Sequence, residues 1–265
     1  DVNMIDPFHL EARGEAVVNY NRDCEIFPVV NAMFELIFGK SPYKSPTEMG
    51  VNMAGNCIID DEACREASKQ EIIRRYYKCL CEKRRNGTTK DDICKLELLM
   101  KQAEITVEDR KVTIVALERE KNENGNPAMA IELRDGTIVS GGTSELLGAA
   151  SSALINALKV LAGIDKEVKL IDPKAIDPIQ DLKINYLGSK NPRLHTDEVL
   201  TALSATAANN EIAMKAMKKL PLLKGCDAHS TVLLSSVDEQ IFKKLGIQLT
   251  CEPKYEEDER MYHKN

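Results

Sequence analysis

The 265-residue sequence contains no tryptophan, and aromatic residues make up only 5% of it. A surface that stacks nucleic-acid bases needs aromatic side chains, so this composition argues against such a platform. Basic residues are also outnumbered, since 36 Lys and Arg against 42 Asp and Glu give a net charge of −6. Nucleic-acid binding usually needs a concentrated basic surface, and we therefore expect no nucleic-acid partner.

Long hydrophobic runs are absent from the sequence as well. No stretch reaches the roughly 20 apolar residues that a membrane-spanning helix requires. The most apolar stretch, residues 146–163, is interrupted by Ser151, Ser152 and Asn156. The chain begins at Asp1, with neither an initiator methionine nor a signal peptide. These features predict a cytoplasmic fragment of a longer protein, without membrane association.

The eight cysteines lack the paired spacing of a metal site. No CxxC motif occurs, and Cys79 and Cys81 would point about 200° apart on a helix. A chain of this length without a secretion signal favours reduced thiols over disulfides. We therefore expect no metal site and no cofactor in this chain.

The first half has the pattern of a helical subdomain, which we place at residues 1–122. An apolar helix is predicted to end at Gly39, and a long helix to run from Asp60 or Asp61 to Gly87. Thr106 and Asp109 form a capping-box pattern that begins a further helix. The polar stretch KNENGNP then marks the domain boundary.

The second half predicts an α/β subdomain over residues 127–252, followed by a charged tail at 253–265. The sequence Asp135-Gly136 between two alternating segments predicts a β-hairpin. Thr143 or Ser144 is expected to cap an alanine-rich helix that ends at Gly163. Three further strands are predicted at VKLI, STVLLS and IQLTC, with helices between them. This order implies an α+β or α/β fold whose largely parallel or mixed sheet is covered by helices.

Several longer strings resemble one bacterial family, designated domain of unknown function 1846. They are DVNMIDPFHLEA, AVVNYNRD, YKSPTEMGVN, EASKQEIIRR, LGSKNPR and LPLLKGCDAHST. The resemblance implies that the chain corresponds to the C-terminal portion of a family member. It also implies an upstream domain as a partner, with a nucleotide-binding glycine-rich stretch. Neither GNPAMA nor SGGTSE has the GxxxxGK[ST] spacing of such a loop.

The same resemblance implies that the second half is a three-layer subdomain similar to the cytidine deaminase fold. Zinc deaminases use H-x-E and P-C-x-x-C motifs for their metal and their acid/base glutamate. The corresponding stretches here are Thr143-Ser144-Glu145 and Pro173-Lys174-Ala175-Ile176. Glu145 is retained without any zinc ligand, so deaminase chemistry is not expected. Glu145 is kept as a candidate catalytic residue, with a first-turn helix acid as the alternative.

The segment GCDAHST supplies the other candidate catalytic residues, Cys226 and His229. A loop that folded back would bring the thiol and the imidazole together as a thiolate–imidazolium pair. The favoured alternative is structural, in which Asp227 and Ser230 build a turn and His229 binds backbone groups. A metal held by Cys226, His229 and His195 is a weaker possibility.

Cationic and hydroxyl residues in separate loops are the candidate ligand-binding residues. They are Asn21, Arg22, Lys44, Ser45, Thr47, Lys190 and His195. If these loops converge, they form an anion-binding cleft between the two halves. The sequence therefore predicts a substrate-binding region, with candidate catalytic residues, of a multidomain enzyme that acts on a small anionic or phosphorylated ligand. The alternative is a non-catalytic assembly module, and a homo-oligomer is compatible with either.

Overall fold

The computed structural model describes residues 27–40, 61–87 and 90–256. The chain divides into two compact units, residues 1–110 and 111–265. This division lies one helix before the predicted boundary, because the helix Lys111–Asn122 packs against the sheet of the second unit. None of the described helices has the length and hydrophobicity that a bilayer crossing would require.

The first unit contains three described helices, α1 (Phe27–Phe38), α2 (Asp61–Asn86) and α3 (Lys90–Gln102). Helices α2 and α3 pack together around a small apolar core. Helices α1 and α2 end as predicted, since Gly39 and Gly87 both have φ of +74°. The capping box at Thr106 is also confirmed, because the Asp109 carboxylate accepts the Thr106 N–H at 2.6 Å.

The second unit contains four strands and six helices among its described residues. The strands are β1 (Ala128–Glu132), β2 (Ile138–Gly142), β3 (Asp227–Ser230) and β4 (Gln248–Cys251). The helices are α4 (Lys111–Asn122), α5 (Ala149–Ala162), α6 (Pro173–Asp181), α7 (Thr196–Ala207), α8 (Glu211–Met217) and α9 (Ser236–Lys244). A π-helical turn, Leu182–Tyr186, continues from α6.

The four strands form one sheet in the order β2-β1-β3-β4, and its mixed character agrees with the sequence prediction. Strand β1 is antiparallel to both β2 and β3, while β3 and β4 are parallel. Ala130 of β1 packs against Val112 and Ala116 of α4, whereas Met129 and Ile131 face the larger core that contains α5. Because successive strand residues face opposite sides, α4 and α5 cover opposite faces of the sheet. The second unit therefore has three layers.

Two predicted strands are wrong. The segment VKLI is an irregular connection whose Leu170 and Ile171 are buried. The strand predicted at STVLLS lies earlier, at Asp227–Ser230, and only its last residue belongs to that segment. A short apolar run indicates that a segment is buried, but a buried loop and a buried strand both have such a run.

The hairpin is confirmed, but its turn is longer than two residues. Leu133 N–H donates to the Thr137 carbonyl at 2.8 Å, and Gly136 N–H donates to the Leu133 carbonyl at 2.9 Å. Only Gly136 has a positive φ, of +83°, within this turn. A single glycine in the left-handed region is typical of a longer hairpin loop with a bulge, rather than of a two-residue turn.

Candidate functional site

A cleft in the second unit collects polar groups from separate parts of the chain. It is open to solvent, and the space within it is about 480 Å³ when the solvent at its mouth is included. Its walls come from the start of α5 (residues 148–151), the loop at 191–195, the loop at 232–235, the first turn of α9 and Glu256. Arg193, His195 and Asp238 are the charged or ionisable residues that the loop and α9 contribute.

The loop at 191–195 is held to the protein through Leu194. Its N–H donates to the Leu146 carbonyl at 2.9 Å, and its carbonyl accepts from the Ser151 hydroxyl at 2.9 Å. The Leu194 side chain is buried in the main core. Because neighbouring side chains of an extended segment alternate, burial of Leu194 directs Arg193 and His195 away from the core and towards the cleft.

His195 is paired with a buried carboxylate. Its Nδ1 lies 3.0 Å from Oδ2 of Asp238, which also accepts from the Ser235 hydroxyl at 2.8 Å. The other oxygen, Oδ1, accepts from the backbone N–H and the hydroxyl of Thr196, at 2.9 and 2.8 Å. Since an ionised carboxylate only accepts hydrogen bonds, Nδ1 of His195 carries a hydrogen. Proton exchange with a ligand would then take place at Nε2.

The pairing changes the pKa of both residues. The hydrogen bond to Asp238 raises the pKa of His195, against the opposite effect of burial. Burial acts to raise the pKa of Asp238, but the hydrogen bond and charge of His195, with donors from Thr196 and Ser235, lower it to about 2. A buried carboxylate that orients a half-buried histidine in a cleft is an arrangement used for acid–base chemistry.

Arg193 supplies a permanent positive charge at the same cleft. Its Nη1 lies 2.6 Å from the Glu256 carboxylate, and both side chains line the cleft. A guanidinium binds carboxylates and phosphates alike. Glu256 therefore occupies a position in which an incoming anion would compete for Arg193.

The start of α5 forms one wall of the cleft, where the first backbone N–H groups of the helix are donors. The predicted cap at Thr143 or Ser144 is wrong, because Ser144 forms a turn with Leu147 instead. The helix begins four to five residues later, after Gly148, which provides no side-chain cap. A helix N-terminus carries partial positive charge, and it adds to the attraction for an anion that Arg193 and His195 already provide.

Cys226 and His229 lie on opposite faces of the sheet. Cys226 packs in the core beside α5, together with Ala228. His229 is paired with Ala130 of β1, which faces α4. Three extended residues also separate the two Cα atoms by about 10 Å. The thiolate–imidazolium pair is therefore not formed, and these two residues cannot share one metal ion.

His229 is fully buried and binds polar groups of the neighbouring strand. Its Nδ1 lies 2.9 Å from Oγ1 of Thr250, whose hydroxyl donates to the Ala228 carbonyl at 3.1 Å. Its Nε2 lies 3.3 Å from the Glu252 carboxylate. Cys226 donates weakly to the Leu222 carbonyl at 3.6 Å, and burial raises the pKa of its thiol. These contacts give both residues structural partners, but Asp227 and Ser230 lie in β3 rather than in a turn, and the His229 ring contacts side chains rather than backbone groups.

The remaining candidate residues divide between the cleft, the surface and the undescribed part of the chain. His195 lines the cleft. Lys190 is exposed and does not line the cleft, although it is only three residues from Arg193 in the sequence. Glu145 is exposed in the turn before α5 and does not line the cleft either. Asn21, Arg22, Lys44, Ser45 and Thr47 lie outside the described residues. His195 therefore lines a cleft within the second unit, whereas convergence of the predicted loops on a cleft between the two halves stays a prediction.

Asp238, Ser235 and Glu256 are cleft residues that the sequence did not indicate as functional. Ser235 and Asp238 match a helix-cap pattern, and Ser235 does cap α9 by accepting the Asp238 N–H at 3.2 Å. The Asp238 carboxylate also binds His195, which is 43 residues away in the sequence. Among the described residues, no group of three His, Cys, Asp or Glu side chains is arranged to hold a metal ion.

Comparison with known proteins places the chain in one family. The model "Domain of unknown function DUF1846, C-terminal" matches residues 108–262, and "Domain of unknown function DUF1846, N-terminal" matches residues 1–104. The expectation of a C-terminal portion alone was therefore incomplete, because the family's N-terminal model matches as well.

Curated relatives from several bacteria agree with the family models. UPF0371 protein cu0538 of Corynebacterium urealyticum is 54% identical over 255 residues, 96% of this chain and 51% of the relative. UPF0371 protein stu1377 of Streptococcus thermophilus is 55% identical over 264 residues, 100% of this chain and 53% of the relative. The chain thus spans about half the length of the curated relatives it matches. With both models matched along its length, the chain belongs to the DUF1846 family, whose function is unknown.

Proposed function

We propose that the cleft binds a small anionic ligand, such as a phosphate ester or a carboxylate, and that His195 exchanges a proton with it. The observation that carries this proposal is the Asp238–His195 pair in a cleft that also holds Arg193. Asp238 fixes the ring of His195 and stabilises its charged form. The arginine and the start of α5 provide the attraction for an anion.

Sulfate binding tests the proposal, because sulfate keeps its charge over the range in which a histidine titrates, about pH 5 to pH 8. We expect the affinity for sulfate to fall as the pH rises through the raised pKa of His195, since the neutral ring attracts anions less. The His195→Gln variant should lose this pH dependence. Isothermal titration calorimetry across the pH range makes the measurement.

Arg193→Gln should weaken sulfate binding about tenfold, because a charge-assisted hydrogen bond is lost. Lys190→Gln is the matched control, since it removes a positive charge from the same loop outside the cleft. Equal losses in the two variants would mean that binding reflects general charge, and the proposed cleft would be wrong. No detectable sulfate binding by the wild type would contradict the proposal as well.

Glu256→Gln should act in the opposite direction. In the protein, the Glu256 carboxylate lies 2.6 Å from Nη1 of Arg193 and competes with an incoming anion. A neutral amide removes this competition, so we expect the affinity for sulfate to increase severalfold. The combination of Glu256→Gln with Arg193→Gln should show no such gain. A gain that persists without Arg193 would assign the effect to overall charge.

An assembly role is favoured by a separate observation in the first unit. Met33, Leu36, Ile37 and Phe38 on α1 are each more than half exposed. Apolar patches of this kind mark interaction surfaces. The partner would be a second copy of this chain or the remainder of a full-length family member. Nucleotide binding by that remainder also stays a proposal. Light scattering would show an oligomer that Leu36→Lys dissociates, and a monomer at all concentrations would argue against self-assembly.

The deaminase-like fold and cytoplasmic localisation also stay proposals. The element order hairpin, helix and covered mixed sheet is compatible with that fold. The proposed chemistry does not depend on it, because the acid–base pair comes from α9 and the loop before α7.

A further inference from the structure

We propose that the ion pair formed by the buried Lys183 and the half-buried Glu198 is a positioning device that holds Arg193 and His195 in the cleft. This inference rests on the proposed function, because it assigns a role to two residues that support that site. Neither residue lines the cleft itself. Both contact the backbone of the segment that does.

The two residues hold the backbone of this segment on both sides of Leu194. Nζ of Lys183 donates to the Arg193 carbonyl at 2.7 Å and to Oε2 of Glu198 at 2.7 Å. The same Oε2 accepts the backbone N–H of His195 at 2.7 Å. One ion pair therefore fixes the peptide groups of both cleft residues.

Lys183 reaches this position through an unusual piece of backbone. It lies on the π-helical turn Leu182–Tyr186, which follows α6 directly. Its side chain is 8% exposed, while Leu182, Tyr186 and Leu187 around it are at least half exposed. Such turns occur often at functional sites. A lysine is rarely buried unless it is paired, so its burial here depends on Glu198 and the Arg193 carbonyl.

Glu198 contributes through the first turn of α7. It is the third residue of this helix, and its carboxylate accepts the backbone N–H of His195 at 2.7 Å, which is the glutamate half of a capping box. A capping box ordinarily involves a Ser or Thr before the helix. Here His195 occupies that position, so the cap fixes the start of the helix and the backbone of the proposed acid–base residue together.

The positioning role and simple electrostatics predict opposite results for Glu198→Ala. Removal of a negative charge near the cleft should strengthen sulfate binding if charge alone matters. A positioning role instead predicts about tenfold weaker binding, because the backbone N–H of His195 loses the carboxylate that accepts its hydrogen bond. Glu198→Gln keeps an acceptor oxygen and should restore much of the affinity. Unchanged or stronger binding by Glu198→Ala would overturn the proposal.

A second readout needs no ligand. Lys183 is a positive charge that acts to lower the pKa of His195, so its loss in Lys183→Met should raise that pKa by electrostatics alone. The positioning role predicts a lower pKa, since a displaced ring weakens its hydrogen bond with Asp238. NMR titration measures the value, and the His195→Gln spectrum identifies the signal among the four histidines. A rise in the pKa would contradict the positioning role.

Lys159→Met is the matched control for this variant. Nζ of Lys159 donates to the Lys166 carbonyl at 2.8 Å, and the residue lies in the last turn of α5, whereas the cleft lies at its first turn. We expect it to leave the sulfate affinity and the His195 titration unchanged. The two proposals fail separately: wild-type protein that binds no sulfate contradicts the proposed function, whereas the NMR titration still decides whether Lys183 positions His195.

Discussion

Asp238→Asn is expected to lower the free energy of unfolding by about 2 to 3 kcal/mol near pH 6. The pKa of Asp238 is about 2 in the protein and 3.8 ordinarily, and each pKa unit corresponds to about 1.4 kcal/mol of stability. The carboxylate accepts four hydrogen bonds, from His195, from Ser235 and twice from Thr196. An amide offers only one acceptor oxygen, so some of these donors lose their partner.

The destabilisation by Asp238→Asn should become smaller both at low pH and at high pH. The pKa of Asp238 is lowered, so its stabilisation is present above the ordinary value of 3.8 and is lost as the pH falls through about 2. The pKa of His195 is raised, so its stabilisation is present below the ordinary value of 6.5 and is lost as the pH rises through the value in the protein. The difference between wild type and variant should therefore be largest between these two ordinary values.

Glu239→Gln is the matched control for Asp238→Asn. It removes a neighbouring carboxylate from the same first turn of α9, where a negative charge at a helix N-terminus contributes about 0.3–1 kcal/mol. Urea denaturation at several pH values compares the three proteins. NMR should also show the pKa of His195 falling towards its ordinary value in Asp238→Asn only. Equal destabilisation by the two substitutions would show that the Asp238–His195 pair contributes nothing specific.

The sequence predicted best those features that are determined by neighbouring residues. The capping box of Thr106 and Asp109 forms, and Gly163 ends α5 in the left-handed conformation, both as expected. A capping residue and its partner are two or three positions apart, so the sequence contains the whole interaction. The wrong cap at Thr143 or Ser144 shows the limit, because Ser144 binds Leu147 in a turn and Thr143 donates to the distant Pro127 carbonyl.

The site could be predicted only where its residues are close in the sequence. The sequence indicated His195 as a ligand-binding residue, and it does line the cleft, together with Arg193 two positions before it. The partner Asp238 is 43 residues away, and its local pattern already had an explanation as a helix cap. The proximity of Cys226 and His229 in the sequence was misleading, since an odd spacing along a strand puts side chains on opposite faces. Function here depends on contacts between elements that no local pattern contains.

Gly141→Ala is expected to destabilise the protein by about 3 kcal/mol or more, because the added methyl group has no space. A Cβ at this position would overlap the backbone nitrogen of Ala153. It would also lie 2.6 Å from the carbonyl carbon of Ser152 and 2.7 Å from Cα of Ala153. All three atoms belong to the backbone of α5, which cannot move aside as a flexible side chain does. Thermal and urea denaturation measure the loss.

Gly142→Ala is the matched control, one residue along the same strand. Its Cβ would face α4 and overlap the carboxylate of Glu123, a side chain that can rotate away at the cost of its ion pair with Arg119. We expect a loss of about 1 kcal/mol, as for a partly exposed ion pair. Similar losses in the two variants would show that α5 does not approach β2 as closely as described.

The two glycines connect the packing of the sheet with the cleft. Gly141 allows α5 to contact β2 at Ser152 and Ala153, directly after the residues of that helix that line the cleft. A displaced α5 would move Ser151, whose hydroxyl holds the Leu194 carbonyl between Arg193 and His195. Gly141→Ala should therefore weaken sulfate binding under conditions in which the protein remains folded, whereas Gly142→Ala, which affects the opposite face, should not. If folded Gly141→Ala protein bound sulfate as tightly as the wild type, the affinity of the cleft would not depend on the packing of α5, and this connection would be wrong.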